Sequence, residues 1–222
     1  MFWKFNTAPD DLVQVQLSVM LDRLDRMVHR KVELSRDATL MMKLADQFPG
    51  DSGIMAPLMF NHVKLTKGQS FYIGANEPHA YISGEILECM ACSDNVVRAG
   101  LTPKLKDVDT LVSMLTYKTV VPTITRGKKM DDCTTLYAPP VADFSIEVIE
   151  VTPYNRYDVK PVKSPSILLI LDGSAVFDQG EVKRLDMVFG GAAFVSANTM
   201  TSINAGKKGV KIARAMSNVH FF

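Results

Sequence analysis

The hydrophobic period changes near residue 63 from helical to strand-like, and that change fixes the class of fold. Before it, apolar residues recur three and four apart; after it, they alternate or run in short blocks broken by Gly, Pro and Asn. The acidic pair Asp10-Asp11 offers carboxylates to the free amides of a first helical turn. Behind it Leu12, Val15, Val19, Leu21, Leu24 and Met27-Val28 mark an amphipathic helix that ends near His29. A second helix is expected after Ser35, with Leu40, Met41, Leu44 and Phe48 on one side, and Pro49-Gly50-Asp51 stops it. A short third helix is expected over residues 54–61.

Beyond the change, Val63-Lys64-Leu65-Thr66 alternates, Lys67-Gly68 turns, and Phe71-Tyr72-Ile73 follows as a strand. Val108, Leu111, Val112 and Leu115 return to helix spacing behind a cap at Asp107, giving a helix at about 107–117. Residues 122–141 read as a long exposed loop. Strands are then expected at 144–151, 166–171, 175–177, 191–195 and 210–216, the pattern of an all-β sandwich or barrel. The fold class is therefore mainly β with a helical N-terminal segment. Its expected divisions are a helical segment at 1–61, a β region at 62–121, the loop at 122–141 and a β-domain at 142–222. One internal echo runs across the last two folded regions. Ile73-Gly74-Ala75-Asn76 matches Val195-Ser196-Ala197-Asn198 in type, and the residue that answers His79 in the second copy is Thr201.

The 222 residues are 47% hydrophobic and carry 25 Lys plus Arg against 24 Asp plus Glu, a net charge of +1. A globular chain of this length buries ~65–75% of its surface, so disulfide scaffolds and disordered tails are excluded. The balanced charge offers no footprint for nucleic acid or an anionic membrane, and the cluster Arg126-Gly127-Lys128-Lys129 reads as a solvated loop. The aliphatic run Ile167-Leu168-Leu169-Ile170-Leu171 falls far short of the ~20 apolar residues that span a bilayer, and reads as a buried strand. Met1-Phe2-Trp3-Lys4-Phe5-Asn6 has neither the apolar core nor the cleavage site of a secretory signal. Three cysteines fit reduced thiols, so a cytoplasmic location is expected.

Four features can carry chemistry. His79 follows Pro78 at the end of a Gly-bounded strand, the way a jelly-roll strand delivers an imidazole to a barrel mouth. Taken alone, such a histidine is either a ligand or a hydrogen-bonded structural residue; His29, His62 and His220 read as structural. Glu88 sits in the middle of an expected apolar strand, Glu85-Ile86-Leu87-Glu88-Cys89-Met90-Ala91-Cys92, so it is paired, metal-facing, proton-carrying or turned to water. Cys89 and Cys92 match Cys-x-x-Cys, but no second pair completes a tetrahedral zinc site and the motif opens no helix. Arg98 and Lys104 flank a Gly/Pro-kinked turn, a pair that suits an anionic substrate such as a sugar phosphate or stands as solvated surface charge.

The block from Gly74-Ala75-Asn76-Glu77-Pro78-His79-Ala80-Tyr81-Ile82-Ser83-Gly84 through Glu88-Cys89-Met90-Ala91-Cys92-Ser93-Asp94-Asn95-Val96-Val97-Arg98-Ala99-Gly100-Leu101-Thr102-Pro103-Lys104 closely resembles the type I mannose-6-phosphate isomerases. The likeness extends more weakly back through Phe48-Pro49-Gly50-Asp51 and forward into the C-terminal β region. It implies a cupin (jelly-roll) fold, with an incomplete first cupin at 62–121 and a C-terminal cupin-like domain. It also implies a zinc cofactor, mannose 6-phosphate and fructose 6-phosphate as substrates, and a monomer. By the resemblance His79 is a zinc ligand, Arg98 is the catalytic arginine, and Tyr81, Glu88 and Lys104 line the substrate pocket. The family's zinc takes four side chains. Three of them, a Gln-x-His pair and a Glu, come from an N-terminal region with no counterpart in this sequence. Three outcomes are therefore open: an isomerase, a non-catalytic cupin fragment, or a module in which Arg98 and Lys104 bind sugar phosphate without turnover.

Overall fold

The computed structural model describes residues 7–93, 96–179 and 184–220. The readings that touch Met1 to Asn6, and Asp94 and Asn95 of the motif block, lie outside them. The described chain forms two compact units interleaved in sequence. One holds Met1–Lys64, Ile73–Ile82 and Ser93–Pro122; the other holds Leu65–Tyr72, Ser83–Cys92 and Thr123–Phe222.

In the first unit, α1 (Asp10–His29) and α2 (Arg36–Gln47) lead into a 3-10 turn over Ser52–Leu58, and α3 (Val108–Met114) follows later. The expected cap at Asp107 forms, and the one at Asp10-Asp11 does not. Ser35 Oγ accepts the Ala38 amide at 3.2 Å, and Asp107 accepts the Thr110 amide at 3.1 Å. At α1 the cap position is Pro9 with no side-chain bond, and Asp10 and Asp11 lie inside the first turn. They act there by charge on the helix dipole, as Arg26 does at the other end. The buried face of α1 also differs from the expected stripe. Leu17 is buried and Val13 and Met20 pack beside it, whereas Leu12, Val15 and Val19 are exposed. α1 carries apolar residues on more than one side, and packing with Met41, Leu44 and Ile54 selects the side of Leu17.

The second unit is antiparallel throughout. β1 (Gln69–Ser70) pairs with β2 (Thr125–Arg126). The larger sheet runs β3 (Lys128–Lys129), β4 (Thr134–Tyr137), β5 (Ser145–Val151), β10 (Thr201–Met216), β7 (Ser166–Asp178) and β8 (Arg184–Val188). β6 (Arg156–Val159) adds to β10, and β9 (Ala192–Val195) adds to β7. The two longest strands bind different neighbours along their length. The first part of β10 pairs with β6 and its last part with β5, while β7 pairs first with β9 and then with β8. The inward residues Ile149, Leu168, Ile170, Phe177, Ile203 and Ile212 close around one core.

Several expectations are corrected. Residues 122–141 are not one long loop, because β2, β3 and β4 lie within them; Arg126, Lys128 and Lys129 are solvated, as expected, but in strands. The expected strand at 85–92 has no ladder partner among the described residues, and Ile86, Leu87 and Met90 are exposed. Extended backbone becomes a strand only when a neighbour accepts its hydrogen bonds. The run at 167–171 is buried on one face only, with Ile167 exposed. The internal echo survives in the backbone: Asn76 (φ 62°) and Asn198 (φ 56°) both take the left-handed conformation of a tight turn.

A polar knot ties β4 to β6 inside this unit. Burial pushes Asp131 up, but bonds from the Tyr157 hydroxyl, the Cys133 and Thr134 amides and Lys160 outweigh it and hold the carboxyl below its ordinary value. Burial raises Tyr157, and Asp131 adds to this against the Thr134 bond, so the phenol is pushed up to about 12. An unfolded tyrosine ionises near pH ~10, so the folded state holds this proton more tightly. Its contribution to stability is complete below about pH 10 and is lost as pH rises towards 12. Alkaline unfolding followed by circular dichroism is expected to show that decline in the native chain. The Tyr157→Phe chain is expected to lose it, and an unchanged slope would remove Tyr157 as its source.

Candidate active site

His79, Tyr81 and Arg98, separated in sequence, line one cavity of about 330 Å³ in the first unit. Leu44, Gln47 and Phe48 from the end of α2 form another wall, and Gly100, Leu101 and Thr102 complete it. The turn before His79 is held from outside: the Thr116 amide donates to Asn76 O at 3.3 Å, and Lys118 pairs with Glu77 at 3.3 Å. This anchoring fixes where the imidazole leaves the backbone.

The imidazole is oriented by its own turn. His79 Nδ1 lies 2.9 Å from Glu77 O. A carbonyl oxygen only accepts, so Nδ1 carries the proton and Nε2 presents a lone pair, the arrangement that prepares a histidine to bind a metal. The His79 and Tyr81 rings lie 5.6 Å apart, tilted by 58°. Arg98 is half-buried and makes no hydrogen bond or ion pair with the described residues. A cation left unpaired at a cavity wall is complementary to an anion, and its planar fork suits a phosphate or an enediolate oxygen.

The other sequence-picked residues do not join them. Glu88 is exposed and belongs to the second unit, which matches the water-facing alternative for that carboxylate. Lys104 is exposed and is not in the cavity wall; its backbone amide donates to Thr102 Oγ1 at 3.2 Å. Cys89 and Cys92 are free thiols, and burial pushes Cys89 up, away from the thiolate a redox pair uses. Gln47 and Thr102 line the cavity as well, beyond the residues that the resemblance implies. The only signal for Gln47 was its place at the last turn of α2, just before the Pro49-Gly50 break.

The donor set does not fit a catalytic zinc. No group of three or more His, Cys, Asp and Glu side chains that could hold a metal exists among the described residues, and a catalytic zinc takes about three protein ligands. His79 is a prepared single ligand. No helix of the described chain is long and apolar enough to cross a membrane.

No protein-family model matches the chain. Curated relatives do. A mannose-6-phosphate isomerase of Cryptococcus neoformans is 43% identical over 195 residues, covering 84% of this chain and 45% of the relative. Mannose-6-phosphate isomerase 1 of Arabidopsis thaliana is 39% identical over 206 residues, covering 91% of this chain and 47% of the relative. The chain is homologous to the mannose-6-phosphate isomerases. It spans about half the length of the curated relatives it matches. Among solved structures, the mannose 6-phosphate isomerase of Salmonella typhimurium bound to fructose 6-phosphate and zinc superposes with a TM-score of 0.77 at 27% identity. The match covers 98% of this chain and 53% of that one. Its apo form gives the same TM-score. The mainly β architecture with N-terminal helices is thus the cupin fold of the isomerases.

Proposed function

We propose that this chain is the sugar-phosphate-binding half of a cytoplasmic, monomeric mannose-6-phosphate isomerase, whose substrates are mannose 6-phosphate and fructose 6-phosphate. The observation that carries the reading is that Arg98, without a partner among the described residues, shares one cavity with the tautomer-fixed His79. The two sugars differ only in which carbon bears the carbonyl: a proton leaves C2 and one arrives at C1, with an enediol between them. Arg98 is the catalytic arginine, meeting the negative charge that develops on the sugar oxygens, in a wall where few other charges compete for it. Tyr81 offers its phenol to a sugar hydroxyl. Glu88 and Lys104 are assigned to substrate by resemblance, and both stand outside this cavity. His79 contributes one of the zinc ligands, and turnover requires ligands beyond it, because the described residues supply too few.

The low ligand count also favours a second reading, a cupin module that binds sugar phosphate without turning it over. Calorimetric titration with fructose 6-phosphate tests the shared part. Saturable binding is expected, and Arg98→Ala is expected to weaken it by about tenfold or more, the size of a lost charge-assisted contact. Equal affinity of the two chains would reject Arg98. Zinc analysis with a coupled isomerase assay then separates the readings. One zinc per chain with chelator-sensitive turnover would mean that this chain completes the metal site itself.

A further inference from the structure

Asp51, the last residue of the helix break Phe48-Pro49-Gly50-Asp51, has no role in the reading above, yet it meets the loop that carries Arg98. Asp51 Oδ1 accepts the Gly53 amide at 2.7 Å, which fixes the carboxylate's direction. Its other oxygen faces the Thr102 amide at 3.4 Å and the Lys106 ammonium at 3.7 Å, and the side chain is only 12% exposed. Thr102 passes the constraint on, since its hydroxyl accepts the Lys104 amide at 3.2 Å. The backbones also touch. A Cβ on Gly53 would stand 2.8 Å from the Leu101 amide nitrogen, and one on Gly100 would stand 3.2 Å from Gly53 Cα. Between Arg98 and Lys104, Leu101 is held at φ 53°, a left-handed conformation that a branched L-residue adopts only when its surroundings impose it.

We propose that Asp51 is a positioning residue for the substrate loop. Its carboxylate holds Thr102 and Lys106, keeps Leu101 in its strained conformation, and so sets the loop from which Arg98 faces the cavity. This rests on the sugar-phosphate reading of Arg98. Glycine at 53 and 100 gives the close approach, and the buried carboxylate gives it direction. Leu101 packs against the buried cluster of Leu17, Met41, Leu44 and Ile54, which closes the loop onto the helical core.

The test combines nitrogen-15 NMR with fructose 6-phosphate titration on the full chain. In the unmodified chain the Thr102 amide is expected to exchange with solvent about tenfold or more slowly than an open loop amide, as a bonded and part-buried N–H should. Free exchange there would overturn the proposal without any variant. Asp51→Asn keeps the size and places an amide where two donors point. It is expected to shift the Thr102 and Arg98 side-chain resonances and to weaken fructose 6-phosphate binding about tenfold, the scale of a misplaced binding group. The α1 and α2 resonances are expected to stay. Unchanged loop resonances and affinity would overturn the proposal. If the unmodified chain binds no fructose 6-phosphate, the functional reading falls instead. The loop resonances of Asp51→Asn then decide the positioning role by themselves: shifted they support it, unshifted they overturn it.

Discussion

Replacing Arg214 by alanine is expected to destabilise the β unit by about 3–5 kcal/mol, the cost of stranding a buried charge. Arg214 on β10 stands directly across from Glu147 on β5, and their side chains are only 2% and 10% exposed. The guanidinium donates to Glu147 at 3.1 Å, to the Ser166 hydroxyl at 3.1 Å and to Lys160 O at 2.9 Å. It therefore binds β10, β5, β7 and the segment after β6 from one point inside the sheet. Alanine removes all three bonds and leaves the Glu147 carboxylate without its counter-charge in a place water reaches poorly. The double replacement Arg214→Met with Glu147→Leu removes both charges, and is expected to cost far less than the single change. Urea unfolding followed by circular dichroism reads both. A loss below about 1 kcal/mol for Arg214→Ala, the level of an exposed ion pair, would show that the pair is solvated.

Gly173→Ala is expected to cost about 3 kcal/mol or more, through backbone strain and a direct clash together. Gly173 lies in β7 at φ 76°, where the register against β10 jumps from Ala205/Ala175 to Val210/Gly173. The extra residues Gly206, Lys207, Lys208 and Gly209 bulge from β10 at that place. A Cβ on Gly173 would run into the Gly209 carbonyl oxygen and stand 2.9 Å from its carbon, which are backbone atoms that cannot swing aside. Gly190→Ala is the control: it also has positive φ (79°), but nothing lies within 4 Å of a Cβ there, so strain acts without a clash. The expected order in thermal unfolding is native, Gly190→Ala, then Gly173→Ala as least stable. Equal losses in the two variants would mean that the bulge relaxes.

The likeness to isomerases was legible because it rests on a contiguous block around His79 and Arg98, and tertiary structure then placed both on one cavity. Lys104 and Glu88 came from the same block and did not join them, because sequence nearness along a loop says little about which wall a side chain reaches. Asp51 was legible only as a helix stop. Its contact with Thr102 links residues 51 apart in sequence, and no local pattern announces such a pairing.

The sequence by itself determined the helices at Asp10–His29 and Arg36–Gln47, the Asp107-capped helix, the switch to β structure and most strands after residue 144. Those features depend on period, caps and turn residues, which act over a few neighbours. Tertiary structure decided what depends on a distant partner. β6 is Arg156-Tyr157-Asp158-Val159, too polar to read as a strand, and it exists because Thr201 to Asn204 of β10 complete its ladder. Residues 85–92 have the better strand sequence and form none, because no ladder neighbour stands beside them among the described residues. α1 chose Leu17 over Val15 and Val19 because Met41, Leu44 and Ile54 lie on that side. A strand or a buried face is a relation between two segments, so one segment's residues fix its tendency while packing fixes the outcome.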